Sequence, residues 1–165
     1  MILIKSIICK EEIINESFDE MDNNNESIYG AIAMWVNDHE VLSQFLLPWE
    51  YHKKLGLYDD NLTFAFGQMV DFIQALKRNE RGVIYYIFGN LVELVGIPGE
   101  MVELIYKWND SINEKYDVIW NECVELSELE NAVKNAIQGF VDELKSINEK
   151  LLGMKNLQKI IEFVE

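Results

Sequence analysis

A chain of 165 residues with 49% hydrophobic and 12% aromatic side chains can bury a core and is too apolar for a disordered acidic tail. Its formal net charge of −15 counts against direct nucleic-acid binding and against anionic membrane surfaces, because there is no basic stripe to neutralise phosphate. Two cysteines, Cys9 and Cys123, make neither a disulfide framework nor a metal-ligand spacing. The longest charge-free apolar stretch, Gly82 to Val92, is well short of the roughly 20 residues of a membrane span, and no cleavable leader pattern opens the chain. The expectation is a reduced, cytoplasmic protein.

The β-branched run Ile2 to Cys9 reads as a strand, and Asp22 to Ser27 as a polar loop. Ile28 to Val36 alternates, with Ile28, Ile32, Met34 and Val36 on one face and Tyr29, Ala31, Ala33 and Trp35 on the other. Asn37-Asp38 suits a tight turn, and Val41 to Leu47 returns as a partner strand or a short helix that Pro48 ends. A hairpin over 28–47 follows.

From Asn61 the period changes. Leu62, Phe66, Met69, Ile73 and Leu76 step by three and four, with Asp59, Asp60 or Asn61 as cap and Gly82 as separator. Val83, Ile87, Leu91 and Leu94 keep that step, although Val83 to Phe88 has strand-like residues, so 83–95 stays open between helix and strand. After the break at Ile97-Pro98-Gly99, a three/four rhythm runs from Met101 to Ile161 and predicts a folded-back helical bundle. Ser111-x-x-Glu114 and Ser127-x-x-Glu130 have the capping-box pattern, and Gly153 stops the chain before a last short helix. The expected fold is one α+β domain, 1–165. It has a small N-terminal β-hairpin element (1–58) packed on a predominantly α-helical body (59–165).

Between Glu11 and His52 the chain has ten acidic residues and no Lys or Arg. A single-sign field captures oppositely charged partners, and aromatic anchors hold them once docked. This span carries both, including Tyr29, Phe45 and Tyr51. The expected partner is therefore a basic protein, met by Asp19, Glu20, Asp22, Glu26, Trp35, Asp38, Glu40, Trp49 and Glu50. The concrete form is a stoichiometric inhibitor: an immunity protein or antitoxin against a nuclease-like toxin, or a phage-type anti-defence inhibitor. No cofactor and no catalytic residue are expected in that reading.

A second acidic group, Asp117, Glu122, Glu125, Glu128 and Glu130, lies between Lys115 and Lys134. On the helical reading Glu122 and Glu125 share a face, as do Glu100 and Glu103. Glu100-x-x-Glu103 followed by Glu122-x-x-Glu125 resembles the two-helix acidic signature of the all-α NTP pyrophosphohydrolases. That resemblance implies a magnesium ion held by these four carboxylates against a nucleoside triphosphate. A third option is a helical scaffold whose seam from Met101 onward makes a homodimer or larger oligomer. His39 and His52 have no metal-ligand spacing, and His39 is expected at an exposed turn tip. Cys9 and Cys123 are expected as buried small apolar side chains. No phosphate-cradling glycine loop and no nucleophile elbow occur.

Overall fold

In the computed structural model, which describes residues 1–41, 48–56, 58, 60–85, 92–110 and 115–165, two four-stranded antiparallel sheets are interleaved with helices. With 48% helix and 32% strand, the expected helical body is replaced by a mixed one. In the first sheet β1 (Ile2–Ile8) pairs with β2 (Tyr29–Val36) along its whole length, from Ile2↔Val36 to Ile8↔Gly30. Asn37 turns the chain with φ 53°, and β3 (His39–Val41) returns beside β2. The short β4 (Asp60–Asn61) pairs with the other end of β2. The hairpin expectation thus holds at the turn and through Val41, while residues 42–47, with Phe45, lie outside the described residues.

Gly30 is where β1 and β2 come closest. A Cβ there would sit 2.0 Å from the Ile7 carbonyl oxygen, so only glycine fits. Between β3 and β4 the β2 edge has a gap at Ile32, whose N–H donates to the buried Asp60 carboxylate at 2.9 Å. A side chain there completes what a strand would have supplied.

Asn61 caps α4 (Leu62–Lys77) by accepting from the Phe64 N–H at 2.9 Å, and the predicted stripe Leu62, Phe66, Met69, Ile73 and Leu76 is buried. The second sheet follows as a meander: β5 (Gly82–Tyr85), β6 (Val92–Ile97), β7 (Val102–Asp110) and β8 (Lys115–Val124). The helical expectation for 101–124 fails here for a definite reason. Met101, Ile105 and Trp108 fit a helix stripe, but Val102, Leu104 and Tyr106 alternate, and it is these that are buried. Between two readings of one apolar run, β-branched and aromatic content with burial on one face favours the strand. Gly82 and Gly96 are paired in register, and the Phe72 ring of α4 lies where their Cβ atoms would be, at 2.7 and 2.6 Å. The sheet therefore seats directly on α4.

The C-terminal expectation fares better. α5 (Leu126–Asn148) buries Leu129, Val133, Ile137, Phe140 and Leu144, a 3-10 turn runs over Glu149–Gly153, and α6 (Lys155–Glu162) buries Leu157 and Ile160. α5 starts at Leu126 with Glu125 as N-cap and no side-chain cap bond, so the Ser127 box is not used, and Ser111–Glu114 is outside the described residues. One contiguous core runs from Ile4 and Ile32 through Phe66, Phe140 and Leu104. At the seam between the sheets, His39 stacks on Trp120 (ring centroids 5.5 Å apart, planes at 16°), which packs on Tyr106. Asn37 donates to Glu122 at 2.8 Å across the same seam.

Candidate interaction surface

The lysine-free span folds into two groups at opposite ends of β2, roughly 20 Å apart at the strand rise per residue. The first occupies the connection from β1 to β2, which contains the short helices α1 (Lys10–Ile13) and α2 (Phe18–Asn23). Ile13 and Met21 are buried and tie this segment down. Its acidic residues point outward: Glu11, Glu12, Glu16, Asp19, Glu20 and Glu26 are all exposed. Glu12, Glu16 and Glu26 rim a groove of about 350 Å³ floored by Ile13 and Met21 and walled by Tyr29, itself 40% exposed. Among the described residues the carboxylates of Glu12, Glu16, Asp19 and Glu20 make no hydrogen bond and no ion pair.

Asp22 differs. It accepts from the Lys155 N–H at 2.8 Å and pairs with the Lys155 ammonium at 3.1 Å, at the start of α6. The backbone bond from Lys155, then its side chain, hold the Asp22 carboxyl below its ordinary range. Asp22 therefore serves the fold. Glu26 contributes in part through its backbone, whose carbonyl accepts from Asn156 at 2.6 Å.

The second group lies at the hairpin end. Trp35 and Trp49 pack edge to face at 6.2 Å, with the Lys5 ammonium 5.6 Å over the Trp35 ring. Glu40 accepts from the Trp49 N–H at 2.6 Å, at the first turn of α3 (Trp49–Leu55). Trp35, Trp49 and Glu40 are half-buried, while Asp38, Glu50 and Tyr51 are exposed. Half of this group thus anchors α3 over the first sheet. His52 is fully buried, and His39, on the seam with Trp120, lies 3.2 Å from Glu122.

The carboxylates of the pyrophosphohydrolase resemblance are placed differently from its two-helix premise. Glu103 on β7 and Glu122 on β8 lie on opposite faces of the sheet, since Glu103 is opposite Cys123 and Glu122 opposite Leu104. Glu100 is in the β6–β7 turn and Glu125 at the start of α5. Among the described residues no acidic, His or Cys cluster could hold a metal ion. Cys123, expected to be buried, is exposed on the outer face of the sheet, and Cys9 is half-buried.

Some acids elsewhere are compensated. Glu130 takes both Lys77 and Lys134 at 3.1 Å, Asp71 pairs with Lys159, and Glu149 lies 3.7 Å from Lys145. Burial pushes the Glu130 carboxyl up, but the two lysines outweigh it and hold the group below its ordinary range.

Sequence reasoning singled out Asp19, Glu20 and Glu26 in the first group and passed over Glu12 and Glu16. Their spacing across Ile13 was the available signal, since it sets two carboxylates beside one buried apolar residue. No helix among the described residues is long and apolar enough to cross a membrane. No family model, no curated protein and no solved structure matches the chain.

Proposed function

We propose that this protein is an acidic binding protein that captures a basic protein partner and blocks it stoichiometrically, as an immunity protein, an antitoxin or an anti-defence inhibitor would. One observation carries the reading. In the α1–α2 segment Glu12, Glu16, Asp19 and Glu20 are exposed carboxylates without counter-ions among the described residues, while Glu130 and Asp71 in the α4–α6 layer are matched by lysines. Uncompensated like charge on a surface opposes the compact state, and it accelerates encounter with an oppositely charged protein. The absence of a described metal cluster leaves the magnesium-hydrolase option without a supporting observation among those residues.

The test is capture on the immobilised protein from its native host, eluted in steps of rising salt, followed by kinetics with the purified captured protein. The expected partner is basic, bound in near-equal amount, with an association rate that falls steeply with salt. Replacing Glu12, Glu16, Asp19 and Glu20 by Lys together, which spares the structural Asp22, is expected to slow association at least about tenfold. An unchanged association rate in that variant would sink the reading.

A further inference from the structure

Among the described residues β1 pairs with β2 alone, which leaves it the outermost strand of the first sheet. In an antiparallel ladder alternate residues turn their N–H and C=O groups away from the partner strand. Hydrogen bonds at both ends of β1 fix which residues these are. On the β2 side the Met1 carbonyl accepts from Asn37 and the Cys9 N–H donates to Tyr29, whereas the Ile8 N–H donates outward to Glu143 of α5. Odd-numbered residues therefore face β2, and the main-chain groups of Ile4 and Ser6 face the outer edge. Among the described residues no hydrogen bond is made by them there.

A groove of about 370 Å³ runs along this edge, lined by α5 through Asn135, Gly139 and Glu143 and by Trp49 of α3. Asn135 and Gly139 are exposed, and a Cβ on Gly139 would meet nothing within 4 Å among the described residues. Glu143 marks the charge of an occupant. One of its oxygens holds the Ile8 N–H, burial raises its pKa, and among the described residues no cation pairs with it. Lys5, at the outer lip, lies over the Trp35 ring, 5.6 Å from its centroid. A second copy that offered its own β1, with Ile4 opposite Ser6, would set Lys5 against Lys5, and like charges directly opposite are destabilising.

We propose that the β1 edge takes up an extended segment of the basic partner as an added strand, hydrogen-bonded to Ile4 and Ser6 and placing a lysine or arginine against Glu143. This rests on the basic-partner reading above and gives it a contact: the α1–α2 carboxylates speed the encounter, and the edge holds the complex. Main-chain pairing supplies the affinity of such strand addition, and the groove selects among alternate side chains.

The test uses three synthetic peptides on the full chain: valine and threonine with lysine at every fourth position, the same peptide with glutamate for lysine, and the lysine peptide with alternate amides N-methylated. Hydrogen exchange reads the Ile4 and Ser6 amides. The lysine peptide is expected to slow both at least about tenfold and to bind at least about tenfold tighter than either control. Gly139→Leu, at an exposed helix position, is expected to weaken that peptide about tenfold with thermal stability unchanged or raised. Glu143→Gln is expected to remove the preference for lysine over glutamate and to keep the sensitivity to N-methylation. An N-methylated peptide that binds as well as its parent, or slowed exchange confined to α1–α2, overturns strand addition and leaves the basic-partner reading standing. A glutamate peptide that binds as well as the lysine peptide overturns the basic occupant and counts against that reading too. No slowing at Ile4 and Ser6 with any peptide overturns the proposal. A dimer in sedimentation that protects the same two amides would assign the edge to a second copy and overturn it.

Discussion

The two sheets have the same strand count and share one core, and each has a central strand buried on both faces, yet they are covered by different means. In β2 both faces are buried at mid-strand: Ile32 and Met34 point into the core, and Ala31 and Ala33 are buried on the other side. The α3 segment lies over that outer side through Trp49 against Trp35, and Glu143 of α5 accepts from the Ile8 N–H at the β1 edge. The second sheet seats one face on α4; on its other face Val95 and Glu93 of β6 are buried as well, while Tyr85, Ile97 and Val118 are exposed. The exposed apolar side chains of the second sheet thus lie toward its margins, around a buried centre. Exposed carboxylates without counter-ions among the described residues are found elsewhere, on α1–α2.

Breaking the first sheet has the largest expected effect. Gly30→Val puts a branched side chain where even a Cβ meets the Ile7 carbonyl, so β1 must leave β2. The loss is expected to exceed about 4 kcal/mol, seen as failure to give a cooperative thermal transition. Breaking the second sheet from its seat comes next. Phe72→Ala empties the space over Gly82 and Gly96 and is expected to cost about 3–5 kcal/mol in denaturant unfolding. Equal losses for the first-sheet and second-sheet variants, with one shared transition, would show that the sheets unfold together. A separate early transition in Phe72→Ala would show that they do not.

The seam between them is weaker. Asn37 holds a left-handed turn and bonds Glu122, so Asn37→Ala is expected to lose about 1–2 kcal/mol by the same measurement. Asn37→Gly should recover the turn part of that loss and none of the bond. Surface compensation is smaller still: Glu130→Gln is expected to cost about 0.5 kcal/mol and to leave the α1–α2 salt response unchanged.

The pH dependence sharpens the contrast. Asp22 and Glu130 have pKa values lowered by folding, so each adds stability above its unfolded pKa and loses it as pH falls through the folded value. Glu143 runs the other way. Burial raises its pKa against the lowering effect of the Ile8 N–H, so its contribution is full below the unfolded pKa and is lost as pH rises through the folded one. Glu143→Gln keeps an acceptor for Ile8 and is expected to raise the melting temperature slightly at neutral pH, with the gain vanishing in acid below the ordinary carboxyl value of 4.5. A gain that persists in acid would show that packing rather than ionisation limits the β1 edge.

Much of the candidate interaction surface was legible as composition and little of it as geometry. The acidic span and its aromatics stood out in the sequence, but the sequence could not separate carboxylates that serve the fold, such as Asp22 and Glu40, from those that face solvent, such as Glu12 and Asp19. That division depends on which partner arrives across the fold: Lys155 lies far along the chain from Asp22.

The chain by itself determined the elements whose signal is local. β1, the turn at Asn37, α4 with its Asn61 cap, the break at Pro98 and the stop near Gly153 all follow from side-chain periodicity and backbone preference within a few residues. Only the tertiary structure decided residues 92–110 and 115–124. There an apolar run satisfied a period of two and a stripe of three and four at once. The choice fell to cross-strand pairing and to the bulk of Phe72 against Gly82 and Gly96, contacts between residues too far apart in sequence for any local pattern to carry.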